Sequence, residues 1–275
     1  MELLTARLRE ASLKPAKTQQ ERVQSRDRIF DTEFEAILTV IGRRNVEQDQ
    51  GQRLNLKRVD LRSLYIPPES NFANADLSEA NFQNAILAKV DFANAILRDA
   101  DLEQANLVAA NLTKANLTDA NLEGTQLMQA ILENATLERS FFYYANLRGA
   151  ILKAAKLQET YLRGANLQNV DLTDASLKNA AFYDLCPLWY TRHWTDEDFD
   201  EWREVNDEIY PYHEDGAPYY KPDFRGAKNL TIAQLNTVQD RENAINAIYD
   251  PQLRQALGLP DPDPKELRES ERTPQ

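Results

Sequence analysis

From Phe72 to Phe182 every fifth residue is Leu or Phe, 23 times without exception, as 18 Leu and 5 Phe. Two positions before each of them stands Ala in 17 of the 23 cases, with Ser, Thr or Val in the rest. Directly before each Leu or Phe stands Asn or Asp in 12 of the 23 cases. The two positions that follow vary among charges, amides and small side chains. A period of five, held this strictly, leaves few ways for the chain to fold.

In an α-helix a step of five residues turns the side chain by roughly 140°, so the leucines would visit every side and form no apolar stripe. An alternating strand fails as well, because its period is two. A coil that turns a corner every five residues satisfies the pattern. Each straight edge then sends the large Leu or Phe and the small Ala inward. The other three residues face outward or shape the turn, where Asn and Asp are at home. No Pro occurs from 69 through 186, so backbone donors for pairing between stacked coils are intact. On this assignment a Leu at inward Ala115 overpacks the interior, and a Leu at outward Thr118 is expected to be nearly neutral.

Tandem A-[DN]-L-x-x, as in NLTKANLTDANL, resembles the pentapeptide-repeat family of bacterial proteins. The resemblance implies an all-β solenoid, a right-handed quadrilateral β-helix with four pentapeptides to a coil. Stacked at about 4.8 Å per layer, almost six such coils make a rod on the order of 28 Å long. The inward pair starts earlier, out of phase, at Leu54-x-Leu56, Val59-x-Leu61 and Leu64-x-Ile66. Pro67 and Pro68 accompany a one-residue slip before Phe72, which predicts an irregular first coil with a small bulge.

A stack of coils has two open ends that invite edge-to-edge association unless covered. Residues 1–30 read as a polar N-terminal arm. Residues 31–53 read as an N-terminal capping helix and link, with Phe34, Ile37, Leu38 and Ile41 at helical spacing. Asp31 is placed to cap its start, and Gly42 with Arg43 and Arg44 to end it. Residues 54–182 are the expected β-helix. Residues 183–223 change character: they hold all three Trp, 6 of the 11 Tyr, and 12 acidic against 3 basic residues. Within this insert TDEDFDEWREVNDEIY reads as one helix, with Phe199, Trp202, Val205 and Ile209 on one face. Residues 224–258 read as a returning strand and C-terminal capping helices, since DFRGA at 223–227 looks like a further pentapeptide. Thr231 and Gln234 form a reciprocal capping pair there, Asp250 a cap, Pro251 a first turn and Gly258 a stop. Residues 259–275 are expected to be a disordered tail.

Composition narrows the function. The chain has 44 acidic and 32 basic residues, a net charge of -12, which argues against direct nucleic-acid binding. One cysteine, Cys186, rules out an internal disulfide framework and a Cys-rich metal site, and beside Pro187 it reads as a packed small hydrophobe. His193 and His213 both fall in the acidic insert and read as surface histidines. No H-x-x-x-H, nucleophile elbow or glycine-rich phosphate loop occurs. The expectation is a protein that is not an enzyme and uses no cofactor or metal. MELLTARLREASLK lacks the apolar core of a signal peptide and no run of 18 apolar residues occurs, which predicts a cytoplasmic protein without a membrane segment.

Some members of the family resembled here resist quinolones by presenting an acidic rod to DNA gyrase. In this chain residues 71–182 hold 13 acids and 9 bases, a net of -4, while the insert 183–223 holds -9. The negative charge therefore lies on the insert rather than along the rod. The main reading is a non-enzymatic scaffold or interaction protein with a protein partner or a second copy of itself. The alternative is a DNA-mimicking, gyrase- or topoisomerase-binding protein.

Four aromatics in a row, in ERSFFYYANL at 138–147, mark the candidate surface. Phe142 keeps the inward register, and Phe141, Tyr143 and Tyr144 point outward. With four pentapeptides to a coil, Tyr161 falls over Phe141, while Arg163 and then Tyr183 fall over Tyr143, the guanidinium suited to a Tyr face. Ile131 and Ile151 stack on a different face of the same coils, which makes the outside of the rod unusually apolar there. The wall serves either to seat the insert or to bind a partner. The insert supplies the acids Asp196, Glu197, Asp198, Asp200 and Glu201, which suit the start of a helix, and the large apolar Trp202.

Overall fold

The five-residue edge resolves into two inward side chains, one paired residue between them and a two-residue turn. The computed structural model describes residues 39–43, 45–46, 53–182, 227, 229–236, 238 and 251–260. Parallel bridges join each paired residue to the one 20 positions on, from Asn71↔Asp91 through Tyr161↔Ala181. Four pentapeptides therefore make one coil, and the coil is four-sided. The pairing is only one residue wide on each side, and among the described residues no longer strand forms. The all-β expectation holds as a repeat β-helix built of single bridges, because two of every five residues go to the corner.

Nearly every amide of a pentapeptide finds a backbone acceptor. Phe72 N donates to Asp91 O (2.7 Å), Asn74 N to Ala93 O (2.8 Å), and Asp91 N to Ser70 O (2.9 Å). Ala75 N closes the corner onto Phe72 O (3.0 Å). The amide of the first corner residue remains, and a side chain takes it: Ala73 N donates to Asn71 Oδ1 at 3.0 Å. All 12 Asn and Asp side chains at this position of the regular repeat accept the same bond from the amide two positions on. The preference read from the sequence thus has a specific cause, since a buried amide without an acceptor is costly.

The second corner residue sits in the left-handed region, with φ of 59° at Asn74, 55° at Ala109, 56° at Tyr144 and 69° at Gly149. This is the geometry of a type II turn. Residues with a Cβ adopt it at a cost of roughly 1–2 kcal/mol. No β-branched residue stands at this position anywhere from Arg58 to Asn179.

Inside, Ala115, Leu117 and Phe142 are fully buried, as are the other Leu, Phe and Ala of the repeat within a few per cent. Thr125, Ser140 and Thr160 replace Ala without exposure, because their hydroxyls donate to the carbonyls of Leu102, Leu137 and Leu157. Thr118 corrects one expectation. It points outward but is only 6% exposed, and its hydroxyl donates to Asn116 Oδ1, so a Leu there forfeits a bond and is not neutral.

The irregular first coil is present. The bridges Asn55↔Asp76, Asp60↔Asn81 and Tyr65↔Ile86 each span one position more than those from Asn71 onward. The extra residue lies in the corner after Ile66, where Ser70 N closes onto Pro67 O and Glu69 takes the left-handed position.

Short helices meet both ends of the coil. In α1 (39–42) Ile41 is fully buried in the common core, and Gly42 O accepts from Asn71 N at 2.6 Å. A Cβ on Gly42 would stand 2.7 Å from Ser70 Oγ, so only glycine permits this approach. Thr231 and Gln234 form the expected capping box of α2 (Ile232–Leu235). Gln234 then reaches further, its Nε2 donating to Leu172 O (2.9 Å) and Ala175 O (2.8 Å) of the coil. Helix α3 (Pro251–Ala256) ends at Gly258, with φ of 64°, through Leu259 N to Arg254 O and Gly258 N to Gln255 O. Of DFRGA, Ala227 is described and is 7% exposed within the core. The arm, the tail from 261 onward, the start of the first helix with Asp31, Phe34, Ile37 and Leu38, residue Arg44, the insert and Asp250 lie outside the described residues, whereas Leu259 packs against the core and Pro260 O accepts from Arg254 Nε.

Gln234→Glu isolates the donor role. The carboxylate still caps Thr231 but turns an oxygen toward two carbonyls, so a loss of about 1–3 kcal/mol is expected in urea melts. An unchanged midpoint would show that this contact does not hold α2 to the coil.

Candidate interaction face

The register carries Asp60, Asn81, Asp101, Asn121, Phe141, Tyr161 and Ala181 up one side of the rod, each bridged to the next. At the upper end the rings pack together on the outside. Phe141 and Tyr161 stack with centroids 5.1 Å apart and planes within 7°. Tyr143 lies 6.2 Å from Phe141 and 6.1 Å from Tyr161, tilted to both. Such pairs contribute about 0.5–1.5 kcal/mol beyond burial alone.

Arg163 shares the corner position of Tyr143, yet its guanidinium lies over the ring of Tyr144, 5.9 Å from the centroid. Tyr143 is engaged with Phe141 and Tyr161, so the neighbouring ring receives the cation. Ile131 and Ile151 are bridged and 36% and 38% exposed, but they sit half a coil away from Phe141. The rod therefore carries two apolar patches back to back, not one continuous apolar edge. Tyr183 and the acidic set Asp196, Glu197, Asp198, Asp200, Glu201 with Trp202 lie outside the described residues.

Two features of the surface were missed in the sequence. Asp101 and Glu103 lie on the aromatic side, toward its N-terminal end. Asp101 Oδ1 accepts from Glu103 N (3.2 Å) and Asn121 Nδ2 (3.1 Å), and Glu103 Oε2 accepts from Gln83 Nε2 (3.1 Å). Burial pushes both carboxyls above their ordinary values, and the charge of Asp101 adds to the rise at Glu103. Projecting the chain in steps of 20 would have placed 101 and 103 beneath 121 and 123, then 141 and 143. The second feature is the bridged pair Tyr65 and Ile86, 54% and 44% exposed. Its signal was an apolar residue where the repeat usually has Asn or Asp.

The raised carboxyl of Asp101 gives a pH test. A carboxyl whose folded value is raised opposes folding while ionised, and that opposition fades as pH falls through the raised value toward the ordinary 3.8. Asp101→Asn keeps the bond to the corner amide, as Asn121 does one coil on. It is expected to raise the melting temperature at pH 7 by a few degrees, with the advantage shrinking as the solution is acidified. A constant advantage at every pH would place its origin elsewhere.

Among the described residues no group of three or more His, Cys, Asp and Glu is placed to hold a metal ion. No described helix is long and apolar enough to cross a membrane.

A family model described as pentapeptide repeats matches with 8 copies, over residues 69–104, 95–134, 115–153 and 145–184. No curated protein matches the chain. Among solved structures, Rfr23 from the cyanobacterium Cyanothece 51142 is 26% identical, covering 50% of this chain and 92% of that one, with a TM-score of 0.36. HetL of Nostoc sp. strain PCC 7120, involved in heterocyst differentiation regulation, is 22% identical, covering 66% and 76%, with a TM-score of 0.27. QnrB1, a plasmid-mediated fluoroquinolone resistance protein, is 16% identical, covering 44% and 73%, with a TM-score of 0.23. All three TM-scores fall below 0.5, so the assignment rests on the repeat and its family-model match. Residues 69–184 are thus a run of the pentapeptide repeats that this family model describes.

Proposed function

We propose that the protein is a non-enzymatic scaffold or interaction protein, a rigid right-handed rod closed by its flanking helices. Its recognition surface is the acidic segment 183–223, presented on the outward aromatic side of the rod. The observation that carries this reading is the Phe141–Tyr161 stack, held with Tyr143 on the outside of a coil whose interior is already filled. Aromatic side chains are enriched at protein interfaces because they bring large, rigid contact area. Its single cysteine fits a cytoplasmic setting.

The test uses Phe141→Asn with Tyr161→Asn in the full chain. Asparagine is the usual residue at this position and supports the corner amide, as Asn121 does. Affinity capture from host extract is compared among wild type, this variant and a form lacking 183–223. A partner held by wild type and lost by both variants supports the proposal, and capture unaltered in both rejects it. Inhibition of gyrase supercoiling at micromolar protein would replace it with the DNA-mimic role, against which the modest charge of -4 on residues 71–182 weighs.

A further inference from the structure

We infer that the acidic segment 183–223 of this chain is seated on the aromatic column formed by Phe141, Tyr143, Tyr161 and Ala181. Three independent features of the described coil point to this occupant.

Burial is the first. Phe141 occupies the same outward, paired position as Ile131 and Ile151, yet it is 7% exposed where they are 36% and 38%. Ala181, next in the column after Tyr161, is 2% exposed. The hydroxyl oxygen of Tyr143, at a corner on the outside of the rod, is also out of reach of solvent.

The course of the chain is the second. It leaves the coil at Phe182, one residue past the top of this same column, and is back in the core at Ala227, 7% exposed. The intervening stretch therefore starts directly beside the column, and it returns where Asn229 meets Asp171 and Thr173, half a coil away at the same end of the rod. The other long stretch outside the described residues, 1–38, joins the opposite end of the rod, where α1 meets Asn71.

Charge is the third. Residues 71–139 carry 10 acids and 4 bases, a net of -6, and Arg139 is itself paired with Asp119. Residues 140–182 carry 5 bases and 3 acids, a net of +2. A segment of net charge -9 is attracted to the basic upper coils and repelled from the acidic lower ones. The aromatic stack and Arg163 lie in the upper coils. Trp202, with Phe199 on the same predicted helix face, supplies apolar side chains to meet it.

This inference does not depend on the proposed function, and its test needs no partner. All three Trp lie in 183–223, so tryptophan fluorescence of the full chain reports on that segment alone. The trypsin sites Arg192 and Arg203 lie there too. In Phe141→Asn with Tyr161→Asn, the emission is expected to shift to the red and acrylamide quenching to increase. Tryptic cleavage in the segment should quicken roughly tenfold, the change for a loss of about 1.4 kcal/mol of docking. The coil itself, followed by far-ultraviolet circular dichroism, should remain folded. Should the double variant not fold, Tyr143→Ser, at a corner position that lies outside the left-handed region, is read in the same way. Emission, quenching and cleavage equal to wild type would overturn the inference. So would a change in emission that appears only together with conversion of a dimer to a monomer in sedimentation, which would assign the column to a second copy.

Discussion

Phe142→Ala is expected to destabilise the coil by about 3–5 kcal/mol, the range for emptying a buried phenylalanine site. The site cannot close over the void. Phe142 is fully buried, and its own amide holds the coil above through Tyr161 O at 2.7 Å. The coil below is held by Leu122 N to Phe141 O, also at 2.7 Å. Neighbouring coils are thus clamped at a fixed spacing, and a cavity that cannot relax costs the most. Phe142→Leu installs the residue found at 18 of the 23 equivalent positions and should cost less than about 1.5 kcal/mol. Urea melts followed by circular dichroism compare the two. Equal midpoints would mean that Phe142 does not fill the interior. Each coil touches only its neighbours, so a reduced slope in the alanine variant would indicate that the stack has parted at this level.

Ala115→Leu is the opposite perturbation, with an expected loss of about 1–3 kcal/mol from overpacking. Ala115 is fully buried, its amide closes a corner onto Leu112 O at 3.0 Å, and its carbonyl accepts from Thr136 N at 2.9 Å. The backbone is held on both sides, and the added methylenes have no direction in which to move. Lys153→Leu is the matched control, since Lys153 is an exposed first-corner residue outside the left-handed set. It should change stability by less than about 0.5 kcal/mol. Losses of the same size in the two variants would refute the division into inward and outward positions.

The interior of this fold was legible because a buried position tolerates so little. Leu, Phe and Ala at a fixed spacing can be read as a core without any structure, and the slip at Pro67–Pro68 reappears as the one-position change in the span of the bridges. The corners were less legible. Their second residue accepts Glu, Lys, Asn, Ala and Tyr, and only the absence of β-branched residues betrays the left-handed backbone beneath. Asn and Asp were read as turn formers, but their particular task, accepting the amide two positions on, depends on knowing which amide the coil leaves over. The surface was legible only after folding the sequence into rows of four pentapeptides. That operation places Tyr161 over Phe141 correctly, yet it does not say which of two adjacent tyrosines Arg163 will cover. The depth of Asp101 and Glu103 was invisible, since burial of an outward side chain depends on neighbours above and below as well as along the chain.

The four-sided coil also sets rules for how such a protein can change in length. A duplication of four pentapeptides adds one storey and leaves every column in line. A duplication of one pentapeptide between Asn121 and Phe141 would satisfy the core equally well, but it would turn everything above it by one side. Phe141 would then no longer stand over Asn121 and Asp101, and the aromatic and acidic halves of the face would look in different directions. Selection on the outer surface, rather than on stability, would thus count insertions in whole storeys.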